Sequence, residues 1–182
     1  MSQKQLAEKF GSAALPAIGS MFAGGYFAGE FIIEGERYAL VVAPKVDGEK
    51  MGIEYKKNNL DTADGSDSDG DGSANSDRIN NAKHPAAQFC RSLKIGGYDD
   101  WYMPSRDELM RIWMALGLNR KNTPVPFLAG GPEAFEPKWY WSSTEYASYP
   151  HGAWVVGFAG GGQNDGYKGS SFGVRAVRRL KI

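Results

Sequence analysis

The chain of 182 residues reads as an α+β domain whose sheet is finished by its own C-terminus. Three observations predict this class. Two β-rich runs open the compact part, Tyr26 to Ile33 and Arg37 to Ala43, broken at the tripeptide EGE; one strongly signalled helix follows in "PSRDELMRIWMALG"; and the last third returns to alternating strands. With 42% hydrophobic residues there is room for one domain with a real core and a small appendage.

Taken in order, residues 2–15 carry Ser2 followed by Gln5, a capping-box pattern, with Leu6 and Phe10 one turn apart. This predicts a short helix with a thin apolar stripe, and residues 1–22 are read as an arm that docks on another surface, with simple fraying of the terminus as the alternative. The compact domain then spans residues 23–182, starting with a hairpin over "GGYFAGEFIIEGERYALVVAP". Residues 60–80 read as a flexible acidic loop with almost no side chain for a core. Within it Asp67, Asp69, Asp71 and Gly72 match the first half of a calcium-binding loop, in which alternating carboxylates converge on one hard cation. Where that loop needs a bidentate Glu the chain has Arg78, so a plain acidic loop is the favoured reading and Ca2+ the secondary one. No other cofactor is expected.

Pro85 opens a second short helix in "HPAAQFCRSLKIGG", with Phe89, Cys90 and Leu93 on one face and Gly96 as its stop. The next helix has the clearest local signal. Ser105 caps it, Glu108 completes a capping box, Gly117 sits just past its end, and Leu109, Ile112, Trp113 and Leu116 form an inward stripe. A Gly- and Pro-punctuated connection leads to "KWYWSS" and "GAWVVGFA" as strands, "GGGQNDG" as a turn, and "SSFGVRAVRRL" as a closing strand. Trp139, Trp141 and Trp154 are read as core on these strands.

Charge and composition exclude several functions. The 21 basic and 21 acidic residues cancel, leaving no footprint for phosphate neutralisation, so no nucleic acid is expected as a partner. No apolar run approaches the ~20 residues of a membrane span, and "MSQKQLAEKFG" is too charged for a secretory signal. The chain therefore reads as soluble and made in a cytosol, in keeping with its single Cys90.

The run "GGYDDWYMPSRDEL", followed by "YWSSTEY", "AWVVGFAGGG", Lys168 and "FGVRAVRRL", resembles a bacterial and bacteriophage domain family first described as the C-terminal domain of a collagen-like adhesin. The likeness spans about residues 85 to 180, and "GGYFAGEFIIEGERYALVVAPK" is similar to the lead-in of phage members. The resemblance implies a C-type-lectin-like fold, related to the formylglycine-generating enzymes. That fold has a small twisted antiparallel sheet and two helices, with long irregular loops that recognise ligands on one side. It also implies that Trp101 packs inward and that "YWSST" and "VRAVR" are central paired strands.

Residue by residue, chemistry is not supported. The related enzymes need two cysteines, and Cys90 is alone on a helix face where a buried thiol fits. Ser142 or Ser143 with His151 has no nucleophile elbow and no orienting acid. His84 and His151 stand in no metal-ligand spacing, and Gly160 to Gly162 open no phosphate loop. Asn164 and Asp165 echo part of a lectin calcium signature without its companion motif. A binding surface is left: Tyr146, Ser148, Tyr149, His151, Asn164, Asp165 and Tyr167 combine rings with hydroxyls and amides, a composition suited to polar ligands. The expectation is a non-enzymatic attachment module of a phage virion, of tail-fibre or tip type. It would be oligomeric, held to other virion proteins by its N-terminal arm, and would bind a host surface glycan or protein. The alternative is a structural virion protein whose loops contact neighbouring subunits.

Overall fold

The computed structural model describes residues 15–58, 60–118 and 120–182; the helix expected over residues 2–15 lies almost wholly outside them. In chain order the strands are β1 (Met21–Phe22), β2 (Gly25–Ile33), β3 (Glu36–Val42), β4 (Glu49–Glu54), β5 (Trp139–Glu145), β6 (Gly152–Gly157), β7 (Gln163–Tyr167), β8 (Ser171–Arg175) and β9 (Val177–Lys181). The helices are α1 (Lys45–Gly48), α2 (Gly72–Arg78), α3 (Pro85–Arg91) and α4 (Arg106–Leu116), with a 3-10 turn at Val125–Phe127.

The expected hairpin is β2–β3. Its two-residue turn places Glu34 and Gly35 at φ +50° and +81°, the left-handed pair that matches strand twist. Instead of one sheet there are two, in the orders β1-β2-β3-β9 and β4-β8-β5-β6-β7, antiparallel except for a single parallel bridge between Tyr140 and Gly173. The run "SSFGVRAVRRL" is not one strand: it breaks at Ala176, whose N–H donates to Gly48 O, so β8 joins one sheet and β9 the other. The expected paired strands accordingly meet only as β5 beside β8, while β9 pairs with β3. Likewise "GGGQNDG" is a turn only in its glycines, and Gln163 onward forms β7 at the sheet edge against β6.

Alternation along β5 and β6 divides the core. Trp141, Ala153 and Val155 face Ala86, Ala87 and Cys90 on α3, together with the inward Trp101; Tyr140 and Val156 face Leu109, Ile112 and Leu116 on α4. The capping box forms as expected, Ser105 Oγ accepting from the Glu108 N–H and Glu108 Oε2 from the Ser105 N–H at 2.8 Å. Trp113 is only partly buried against this core, its ring covered by the Arg120 guanidinium at 4.4 Å.

The acidic stretch departs most from expectation. It supplies Ser66, Asn75, Ser76 and Ile79 as fully buried side chains, and α2 lies within it. Its carboxylates do not converge: Asp71 caps α2 by accepting from the Ala74 N–H and pairs with Arg179 at 2.7 Å, while Asp69 lies 3.5 Å from Arg106. The half-matched calcium loop thus has two of its three acids turned to arginines, and among the described residues no group of three or more His, Cys, Asp or Glu is placed to hold a metal ion.

Candidate functional site

The turn from β5 to β6 and the edge strand β7 build one ring-lined end of the molecule. In the antiparallel register Gly152 lies opposite Tyr167 and Trp154 opposite Asp165, so Trp154, Asp165 and Tyr167 share a face. Gly152, with no side chain, leaves space there for Tyr146 and the Tyr149 backbone. The rings then run in sequence. Trp154 meets Tyr146 edge-on at 4.7 Å, Tyr146 stacks on Tyr149 at 5.6 Å, Tyr149 meets His151 at 5.6 Å, and His151 meets Tyr167 at 6.2 Å. Tyr149 and Tyr167 are 52% and 50% exposed, whereas Tyr146, His151 and Trp154 are half-buried.

Of the sequence-chosen residues, Tyr146, Tyr149, His151, Asp165 and Tyr167 are therefore brought together. Ser148 is exposed at the tip of the turn that the Tyr149 N–H closes onto Tyr146 O. Asn164 alternates onto the opposite face of β7, its Oδ1 accepting from the Asp165 N–H. Trp154 corrects the core reading: it shares the α4 side of β6 with Val156, but it lies beside the first residue of α4, where Tyr146 and the Arg106 guanidinium cover it and leave it half-buried. Trp139 is corrected too. At the start of β5 it is 37% exposed and lies over Gly157, while Trp141 is fully buried and donates through Nε1 to Ile53 O at 2.9 Å.

Sequence reading also missed Arg106. Its guanidinium covers the Trp154 ring at 4.1 Å, its Nε donates to Gln163 Oε1 at 2.7 Å, and its backbone N–H donates to Thr144 Oγ1. Helix α4 thus braces the row from its first residue.

Beneath the rings lies a buried ionic network. Lys168, adjacent to Tyr167, is fully buried; its Nζ pairs with Glu145 and donates to Thr62 O, with Asp64 at 3.6 Å. Glu145, adjacent to Tyr146, accepts from the backbone N–H groups of Asp64, Gly65 and Ser66, which pins the acidic stretch to the end of β5. Lys56, also buried, pairs with Asp64 at 2.5 Å, and His84 Nε2 lies 3.2 Å from the same carboxylate. Burial acts to raise the Asp64 carboxyl, but bonding to Lys56 and His84 holds it below the usual range. Burial likewise pushes His84 below its ordinary value against the pull of Asp64. Lys168 N–H donates to His151 O, so the network also fixes the β6–β7 end.

Other titratable groups serve the scaffold. Burial pushes the Cys90 thiol up, leaving it a protonated core side chain. Ser142 Oγ donates to Trp154 O, and Ser143 is enclosed beside Asn75, its carbonyl accepting from Tyr55. Glu108 is raised to about 7 by burial, against the hydrogen bonds it accepts from Ser105 and Tyr102.

The Lcl C-terminal domain family matches residues 49–178, and the chain belongs to that family. No curated protein matches the chain. No helix among the described residues is long and apolar enough to cross a membrane.

Proposed function

We propose that this member of the Lcl C-terminal domain family is a host-attachment module of a bacteriophage virion, binding through the row Trp154, Tyr146, Tyr149, His151 and Tyr167. The observation that carries the reading is the exposure of Tyr149 and Tyr167 in a row held on a buried ionic base. Rigid rings with polar tips, preorganised by packing, give contact area at low entropic cost. Two sheets, helices on both faces of β5–β6 and a recognition end made of turns support a C-type-lectin-like arrangement. Residues 1–22 tie the domain to other virion proteins; their described end already pairs Met21–Phe22 with β2. Display in several copies supplies avidity.

The test has two arms. Purified protein should bind host cells and block particle adsorption, with Tyr149→Ala and Tyr167→Ala losing both effects. Imaging of native particles should find the ring-lined end, residues 146–151 and Tyr167, facing solvent. If that end is buried between subunits, attachment is wrong and a structural virion protein takes its place.

A further inference from the structure

Resting on that attachment reading, we infer that the ring row takes an uncharged oligosaccharide, longer than a single sugar, rather than a polyanion. Charge decides the class. The cations built into this end are engaged: Lys168 and Lys56 are buried against Glu145, Asp64 and Thr62, and Arg106, its side chain 30% exposed, lies over Trp154 while donating to Gln163 and facing Asp69. Asp165, directly across from Trp154, is exposed on the ring face. A sulfated or phosphorylated chain would meet that carboxylate and a guanidinium already shared among Trp154, Gln163 and Asp69, so its lost solvation would be poorly compensated.

Shape decides the rest. Tyr149 and Tyr167, each half exposed, stand on either side of His151, which lies 5.6 and 6.2 Å from them. Ring faces carry the negative part of the aromatic quadrupole, and the C–H faces of a pyranose carry the complementary positive edge. Two platforms with a His between them suit successive sugars of one chain. Hydroxyl partners are at hand in Ser148, the Asp165 carboxylate and the Gln163 amide, whose oxygen alone is occupied by Arg106. A protein partner of the same size would be expected to meet a larger apolar patch than these turns expose.

The experiment places the full chain on an array of neutral, sulfated and carboxylated oligosaccharides from bacterial and animal surfaces, at low and high salt. Binding to host cells is followed in parallel, before and after periodate oxidation of their vicinal diols. The expected result is retention on neutral chains independent of salt, a loss of about tenfold or more with Tyr149→Ala or Tyr167→Ala at unchanged thermal midpoint, and loss of cell binding after periodate. Retention on anionic chains alone, weakening with salt, overturns the ligand class and leaves attachment standing. Tyr149-dependent cell binding that survives periodate, with no glycan retained, overturns it in favour of a protein receptor. Absence of Tyr149-dependent binding to any cell or glycan removes the attachment reading itself.

Discussion

Glu108 couples the stability of the fold to pH through the helix that braces the ring row. Its carboxyl is almost fully enclosed, accepting from the Tyr102 hydroxyl at 2.7 Å and the Ser105 N–H at 2.8 Å, with Arg179 and Asp71 as the nearby charges. Burial raises it from 4.5 to about 7. A carboxyl raised on folding binds its proton more tightly in the folded chain. Its contribution is therefore full below pH 4.5 and is lost as pH rises through about 7. At ~1.4 kcal/mol per pH unit, the shift makes the protein more stable at pH 5 than at pH 8.5 by between about 2 and 3 kcal/mol from this group. Glu108→Gln mimics the protonated acid: its carbonyl can still accept from the Ser105 N–H, and its amide can face the Tyr102 hydroxyl. Urea unfolding of both proteins across pH 5 to 8.5 measures the difference. The variant should match the wild type at pH 5 and exceed its stability at pH 8.5, while His84 and the surface carboxylates cancel in the comparison. A stability difference between the two proteins that stays constant with pH would refute the reasoning.

Four further outcomes are expected. Trp141→Ala should cost about 3–5 kcal/mol in denaturant unfolding, since it empties a buried site and orphans Ile53 O, whereas Trp139→Ala should cost about 1 kcal/mol or less; equal costs would contradict the assigned faces of β5. Lys168→Met should destabilise by about 3–5 kcal/mol because it leaves Glu145 charged beneath the rings, and should raise hydrogen exchange at Asp64, Gly65 and Ser66. Tyr149→Ala and Tyr167→Ala should leave unfolding within about 0.5 kcal/mol of wild type, so that any binding loss reports on the surface. Millimolar calcium should leave the thermal midpoint unmoved, because Asp69 and Asp71 already face Arg106 and Arg179; a clear rise would show that those pairs give way to a cation.

The legible part of this protein was local. The turn Glu34-Gly35, the Ser105–Glu108 capping box and the inward Leu109, Ile112 and Leu116 each depend on residues within a few positions, so neighbours in sequence suffice to read them. The ring cluster was legible as composition, and the register of β6 with β7 then gathered Tyr146, Tyr149, His151 and Tyr167 while sending Asn164 to the other face. Trp154 was misread because its face of β6 is core at Val156 and ring row two residues earlier, a change that alternation does not mark. The acidic stretch looked unstructured because its composition offers little to a core; what orders Asp64 to Ser66 is a single carboxylate some eighty positions further along.

By itself, then, the sequence determined the α+β class, the hairpin, the helices α3 and α4 and the aromatic character of the last third, since periodicity and capping are written in short windows. Only the tertiary structure decided that the final strand splits between two sheets at Ala176, that Lys168 is closed off from solvent-borne anions while Arg106 braces Trp154, and that the rings form one row. Those outcomes rest on partners far apart in the chain, whose buried charges and unpaired backbone groups had to be satisfied somewhere, and nothing local says where.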